Sequence, residues 1–245
     1  MRTDFLLISM DQIINHAAKW KYMFAGKVTV PIVIRAIIGG GWGSAAQHSQ
    51  PIHALFAHIP GLKVVMPATA YDAKGLFLES IADNGPVIFI EHRWLYDLKD
   101  HVPEDSYRIP LGKAFLSRKG KDITLIANSF MVPMAMKAAE SLSKEGIDVE
   151  VLDLRTIKPL DEKSIVRSVR KTRRALVLDS GYEFCGISAE IVSLISEHCF
   201  AILKQPVLRM GLPDIPTPAS PVLEKLYYPN VAAITGKVKR LLKNG

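Results

Sequence analysis

Cysteine is scarce in this chain: Cys185 and Cys199 are the only two among 245 residues. Two thiols build no disulfide framework, which points to a reducing compartment and buried thiols. Long apolar runs are missing as well. None approaches the roughly 20 residues that span a bilayer. The opening Met1-Arg-Thr-Asp-Phe-Leu-Leu-Ile-Ser-Met10 has a short apolar stretch and no small-residue cleavage pattern. No signal or transit peptide is read in it. There is no low-complexity tract and no Gly-Lys-Ser/Thr phosphate loop. Acidic residues are the minority, 24 against 31 Lys and Arg, a net charge of +7.

That basic excess gathers in Arg167-Ser-Val-Arg-Lys-Thr-Arg-Arg174 and Lys237-Val-Lys-Arg-Leu-Leu-Lys243. Apolar Ile165, Val166 and Val169 are interleaved with the first run, as on a helix. A solvated helix face is the first reading and docking of an acidic protein the second. Nucleic acid comes last. At 49% hydrophobic and 22% charged, the chain is globular and can bury one large or two ordinary cores.

Short apolar runs alternate with amphipathic stretches. The pattern predicts strands at 28–35, 62–66, 86–91, 123–128, 149–154, 175–179 and 207–210. Helices are expected at 9–26, 52–57, 71–82, 131–144, 161–171, 187–198 and 231–242. Residues 95–110 have no clear period and carry prolines, so a boundary is placed there. Pro213, Pro216, Pro218 and Pro221 are read as a loop. Alternating strands and helices imply βαβ units and parallel sheets. The expected fold is α/β, with two parallel-sheet domains. The first is a partial domain at 1–95, followed by a linker at 96–110 and a second domain at 111–245.

The richest local feature is Arg35-Ala-Ile-Ile-Gly-Gly-Gly-Trp-Gly-Ser-Ala-Ala-Gln-His-Ser-Gln-Pro51. Gly39, Gly40, Gly41 and Gly43 free the backbone for close approach just after a strand, and His48 follows. A dinucleotide fingerprint fits poorly. Its third glycine would fall at Ser44, and Lys63 stands where an acid is wanted. His48, His53 and His58 are five apart, which turns them around a helix instead of stacking them, so a metal centre is not read there. An imidazole near a strand end can move protons or hold a carboxylate, and a structural histidine is the competing reading. Glu91-His-Arg-Trp94 is read first as an ion pair at the domain seam. Asp153-Leu-Arg-Thr-Ile-Lys-Pro159 is read first as a strand-end turn.

Five stretches carry a resemblance over essentially the whole chain. They are Ser9-Met-Asp-Gln-Ile-Ile-Asn-His-Ala-Ala-Lys19, Gln47-His-Ser-Gln50, Pro60-Gly-Leu-Lys-Val-Val-Met-Pro67, Tyr71-Asp-Ala-Lys-Gly75 and Asp153-Leu-Arg-Thr-Ile-Lys-Pro-Leu-Asp161. Together they resemble the β subunit of thiamine diphosphate-dependent 2-oxoacid dehydrogenases, the decarboxylating component of pyruvate and branched-chain complexes, within the transketolase group.

The resemblance implies a pyrimidine-binding domain followed by a transketolase C-terminal-type domain. It implies an α2β2 assembly with thiamine diphosphate between α and β chains, the α subunit holding diphosphate and magnesium. By motif match His48 is the active-site histidine, and Phe5 is the aromatic against the aminopyrimidine. Ile32, Ser80, Ile81, Asp83 and Gly85 match a potassium site built mainly of main-chain oxygens. Gly85 replaces the commoner Asn there. The implied reaction is oxidative decarboxylation with acyl transfer to a lipoyl group. The implied partners are an α subunit, a second β subunit and a lipoyl acyltransferase core, with no nucleic acid and no membrane. The bacterial or archaeal cytosol, or an organelle matrix, is the expected location.

One departure matters. The family's cofactor-activating glutamate lies upstream of the segment where this sequence begins, and none of Glu79, Glu91 or Glu104 takes the matching place. The sequence therefore reads as an amino-terminally shortened β subunit, inactive alone, with exposed sheet edges. Two other readings stay open. One is a non-catalytic docking module. The other is a transketolase-like sugar-phosphate transferase subunit using Arg35 and Arg93.

Overall fold

The computed structural model describes residues 1–243, so the last two positions of the expected second domain lie outside the described residues. Among the described residues nine strands form two sheets. The first contains β1 (Val33–Ile38), β2 (Lys63–Val65), β3 (Val87–His92) and β7 (Thr156–Lys158), in the order β1-β3-β2-β7. The second contains β4 (Phe115–Arg118), β5 (Ile123–Ala127), β6 (Val149–Asp153), β8 (Ala175–Tyr182) and β9 (Leu208–Leu212), ordered β4-β6-β5-β8-β9. The helices are α1 (Trp20–Met23), α2 (His53–His58), α3 (Ala70–Ala82), α4 (Met131–Ser143), α5 (Glu162–Thr172), α6 (Ile187–Cys199), α7 (Pro221–Tyr227) and α8 (Val231–Lys243).

The central strands are parallel, as βαβ alternation requires. All of β5 and β6 is buried, because helices cover both faces of the sheet. The expected parallel sheets are present, and each carries one antiparallel strand at an edge. β4 runs antiparallel to β6, and β7 antiparallel to β2. β7 follows β6 after only Leu154 and Arg155, too short a connection for a helical crossover. It leaves its own sheet and joins that of the first half.

The two halves therefore share a core. Ile38, Val64 and Ile88 of the first sheet and Phe56 of α2 pack in one cluster with Leu152 and Val177 of the second sheet, Ile165 of α5 and Ile191 of α6. A separate cluster holds α4 and α8 against β5 and β8 through Leu125, Ala135, Leu142, Leu176, Ile234 and Val238. α5 shows how sequence sets a helix. Asp161 accepts the Ser164 N–H at 3.1 Å as N-cap, Ile165 and Val169 face the core, and Arg173 ends the helix at φ 61°.

Several expected elements shift. The helix expected at 9–26 is a 3-10 stretch Thr3–Ser9, a π-turn Gln12–Ala17 and the short α1. Ala18 N–H reaches back to the Ile13 carbonyl at 3.0 Å, which buries Ile13 and Ala17 on one side. The strand expected at 28–35 begins only at Val33, because Pro31 has no N–H to donate to a ladder. It then extends to Ile38, paired with His92. β1 lies at the edge of its sheet, but Met1 accepts the Ile37 N–H at 2.9 Å and covers part of that edge. The proline loop near 221 is helix α7, with Pro221 in its first turn where the missing N–H costs nothing.

Candidate active site

β1 and β3 end side by side, Ile38 opposite His92, and both chains leave at the carboxyl edge of the sheet. Ligands of open α/β sheets gather at such edges. β1 runs directly into the glycine loop. Gly39 has φ 92°, and a Cβ there would lie 2.5 Å from the His92 ring. A Cβ on Gly40 would overlap the Glu224 carboxylate. Glu224 Oε1 accepts the Gly41 N–H at 2.7 Å, so α7 holds the loop across the molecule. Ser44 Oγ donates to the Gly41 carbonyl at 2.6 Å and closes the turn.

The first residues of the chain hold the other side. Arg2 donates to the Gly39 carbonyl and, at 3.0 Å, to Ser44 Oγ. Thr3 Oγ1 donates to the Gln50 carbonyl at 2.7 Å, and the Gln50 N–H donates to Asp4 Oδ1 at 3.2 Å. These bonds bring Phe5 and His48 together. Their ring centroids are 5.3 Å apart at 31°. Phe5 is 46% exposed and His48 is exposed too, so both rings border open space. The second carboxylate oxygen of Asp4, the residue before Phe5, is buried and has no hydrogen-bond partner among the described residues.

Beneath the loop lies a buried polar layer. His92 stacks on Phe130 at 4.7 Å and accepts the Trp94 N–H at Nδ1, 3.3 Å away. Burial, then the nearby His53 and Arg2, pushes its pKa down to about 3, so the ring is neutral. His53 lies 3.0 Å from Asp179 Oδ1, and Asn128 donates to the same oxygen at 2.9 Å. Burial works to raise the Asp179 pKa, but His53, Asn128 and the Gly181 N–H together hold it below the usual carboxylate range. Of the three histidines in the 48–58 stretch, then, one is at the rim and one in the core. His58 is exposed at the end of α2.

The ion pair read at 91–94 exists, but within the first sheet instead of at a seam. Glu91 is gripped by Arg35 Nε at 2.6 Å and Nη2 at 3.0 Å, and accepts the Tyr96 hydroxyl at 2.9 Å. Burial and Glu91 push the Tyr96 pKa up to about 12. In the 153–159 stretch the strand-end turn is confined to Leu154 and Arg155, and Thr156–Lys158 is strand β7. Arg155, at φ 58°, pairs with buried Asp72 at 2.6 Å and joins the second half to α3. The potassium set clusters where α3 ends and β1 begins. There the Asp83 N–H meets the Ser80 carbonyl at 3.3 Å and the Val87 N–H meets the Ile32 carbonyl at 2.9 Å. The Gly85 N–H donates to Asp83 Oδ1 at 2.8 Å, and Lys63 places its ammonium on the other Asp83 oxygen. Ile81 is exposed beside them.

Comparison with known proteins gives this rim a lineage. Residues 1–99 match the transketolase pyrimidine binding domain, and residues 112–234 the transketolase C-terminal domain. The chain is 46% identical over 245 residues to acetoin:2,6-dichlorophenolindophenol oxidoreductase subunit beta of Cupriavidus necator, covering 100% of this chain and 72% of that protein. This chain belongs to the β subunits of thiamine diphosphate-dependent dehydrogenases, in the transketolase family. Another relative, 42% identical over 240 residues, is 2-oxoisovalerate dehydrogenase subunit beta of Bacillus subtilis; the match covers 97% of this chain and 73% of that one. Pyruvate dehydrogenase E1 component subunit beta of Rhizobium meliloti is 45% identical over 240 residues, 98% of this chain and 52% of that one. Among solved structures, a split gene transketolase in an inactive beta4 tetramer superposes with TM-score 0.81 at 23% identity, over 99% of this chain and 74% of that chain. At that identity it supports the fold alone.

Several residues of this dehydrogenase β-subunit rim escape sequence reasoning. Asp4 and Glu224 brace the glycine loop from positions that are 46 residues from Gln50 and 183 from Gly41. No local pattern marks either. Asp179 sits midway along β8, directly after the apolar run Ala175–Leu178, and that break in the pattern is the available signal.

Proposed function

We propose that this chain is the β subunit of a 2-oxoacid dehydrogenase, contributing Phe5 and His48 to a site completed by an α subunit. The observation that carries this reading is the Phe5–His48 pair, two open rings 5.3 Å apart at the carboxyl edge of a parallel sheet. The residues fit the pyrimidine half of thiamine diphosphate: Phe5 offers a flat face, and the unpaired Asp4 oxygen is an acceptor beside it. Bound thiamine diphosphate supplies the electron sink for cleaving the bond next to the carbonyl.

The protein's own part is positional. Thr3 and Asp4 fix the Phe5 segment against Gln50, so the stacking face and the imidazole keep one spacing. His48, exposed and with no side-chain hydrogen bond among the described residues, can hold the substrate carboxylate or pass a proton during transfer to a lipoyl group. The α subunit, a second β chain and a lipoyl acyltransferase core are the proposed partners. Ile8, Tyr22, Met23 and Phe24 are exposed large apolar side chains that association would cover. We infer that turnover occurs only in the assembled complex. The set at Ile32, Ser80, Ile81, Asp83 and Gly85 is retained as a potassium site, since its carbonyls keep a second lone pair. No helix among the described residues is long and apolar enough to cross a membrane. A bacterial cytosol or an organelle matrix is the proposed location.

The test is acyl transfer by the α-complemented enzyme. His48→Ala should lower the rate by about two orders of magnitude. Undiminished activity would remove His48 from the mechanism.

A further inference from the structure

β3 ends at His92, and the next residues, Arg93–Leu95, make a 3-10 turn at the carboxyl edge of the sheet. Because Ile38 and His92 are register partners, this turn leaves the sheet beside the glycine loop that leads to His48. The two segments touch. The Arg93 guanidinium carbon lies 4.0 Å over the Trp42 ring and 5.2 Å over the Tyr96 ring. Trp42 is 81% exposed, and its φ of 55° is one that a bulky side chain rarely adopts. Stacking on Arg93 gives that conformation a use.

Both contacts occupy the flat faces of aromatic rings and leave the N–H edge of Arg93 unengaged. Among the described residues no carboxylate pairs with it. Glu91, two residues back, is already held by Arg35 and by the Tyr96 hydroxyl. Arg93 thus brings to the rim a positive charge with no carboxylate partner among the described residues, presented as a planar fork and braced by two rings. Such a fork matches the two oxygens of a carboxylate in one plane, and bracing reduces the entropy lost when it binds.

We propose that Arg93, braced by Trp42 and Tyr96, reads the carboxylate of a 2-oxoacid substrate at the mouth of the His48 site. The inference rests on the function proposed above and narrows it. It selects a charged 2-oxoacid over an uncharged acyloin such as acetoin, the compound named in the 46%-identical relative. Arg93 is then a specificity-determining residue, acting on the part of the substrate that does not receive the new bond.

The experiment titrates the full chain with pyruvate, and separately with acetoin. It follows the Arg93 guanidinium nitrogen resonance and the tryptophan fluorescence in wild type, Arg93→Gln, Arg93→Lys and Trp42→Ala. Pyruvate affinity should fall about ten- to a hundredfold in Arg93→Gln, with partial recovery in Arg93→Lys. Trp42→Ala, at an exposed position that leaves folding intact, should cause a smaller loss. Acetoin should show no dependence on residue 93. Equal loss for both compounds, unchanged pyruvate affinity in Arg93→Gln, or no pyruvate binding by wild type would overturn the proposal. In the α-complemented enzyme, the ratio of kcat/KM for pyruvate to that for acetoin should fall by the same factor in Arg93→Gln. Pyruvate binding through Arg93 without decarboxylation would sink the dehydrogenase reading and leave this one standing. Decarboxylation with an unchanged ratio would do the reverse.

Discussion

Replacing Gly40 with alanine tests how the glycine loop is held. The new methyl would overlap Glu224 Oε1 and lie 2.9 Å from the Tyr228 hydroxyl. The carboxylate must swing away, which breaks its bond to the Gly41 N–H. Overpacking costs about 1–3 kcal/mol, and the lost charge-assisted bond about another 1 kcal/mol. A stiffer unfolded chain returns about 0.4–1 kcal/mol. The net is ~2 kcal/mol, or a Tm lowered by ~4–8 °C in a chain of this size. Glu224→Ala alone loses only the bond, ~1 kcal/mol, because water can reach the freed N–H. The decisive measurement is the double variant. With Glu224 truncated, the Gly40→Ala methyl meets little beyond Tyr228, so the pair should cost ~1.5 kcal/mol, well below the sum of ~3 kcal/mol. Calorimetric scans of the wild type, both single variants and the double variant give all four numbers. Additivity within about 0.4 kcal/mol would show that Glu224 does not fill the space above Gly40, and the clamp would be refuted.

Three further outcomes are expected. Burial, and then the nearby Asp72, raises the Asp153 pKa to about 7, above an unfolded value near 4. The folded state therefore holds a proton that the unfolded state has lost, so stability should fall as pH rises from about 4 to about 7 and then level off. Asp153→Asn, which keeps an acceptor for the Arg155 N–H, should flatten that slope by up to ~4 kcal/mol in urea titrations across this range; an unchanged slope would clear Asp153. Asp4→Ala removes the acceptor of the Gln50 N–H and should cost ~1–2 kcal/mol while weakening cofactor saturation more than maximal rate. An unaltered cofactor requirement would show that the Phe5 segment does not need this anchor. Potassium chloride, compared with choline chloride at equal ionic strength, should raise Tm by several degrees if the oxygens around Asp83 take the ion, since saturation a hundredfold above Kd contributes about 2.7 kcal/mol. Identical transitions in the two salts would empty that site of meaning.

What could be read from the sequence followed the range of the forces involved. α4, α5, α6 and α8 were legible because their apolar spacing is written within a few residues, and α5 adds a local cap in Asp161 and Ser164. β4 and β7 were not, since each is short and takes its identity from a distant antiparallel partner. α7 was hidden by a local rule applied without position: Pro221 reads as a breaker unless it falls in the first turn. At the site, the glycine run and His48 stand out from the sequence as chemistry, and motif resemblance added Phe5. Their adjacency could not be read, because it is made by Thr3 and Asp4 bonding to Gln50 far along the chain.

The same distances explain why the rim has to be built from segments far apart in the sequence. A loop with Gly39, Gly41 and Gly43 at positive φ has many accessible conformations and loses more entropy than most on being fixed. Its own turn bond from Ser44 is too little to select one shape. Arg2 fixes it from the amino-terminal side and Glu224 from α7, while the neutral His92 fills the space beneath Gly39. A charged His92 there would face Arg2 and His53 inside the core, so its neutrality is a condition of the arrangement. Disturbing either the amino-terminal segment or α7 should therefore loosen the loop that carries His48, even though neither segment touches that imidazole through a hydrogen bond. Hydrogen exchange at the Gly41 amide reads this coupling directly: protection should drop in Arg2→Ala, whose side chain bonds Gly39 and Ser44 and not the Gly41 amide, and retained protection would mean that α7 alone sets the loop.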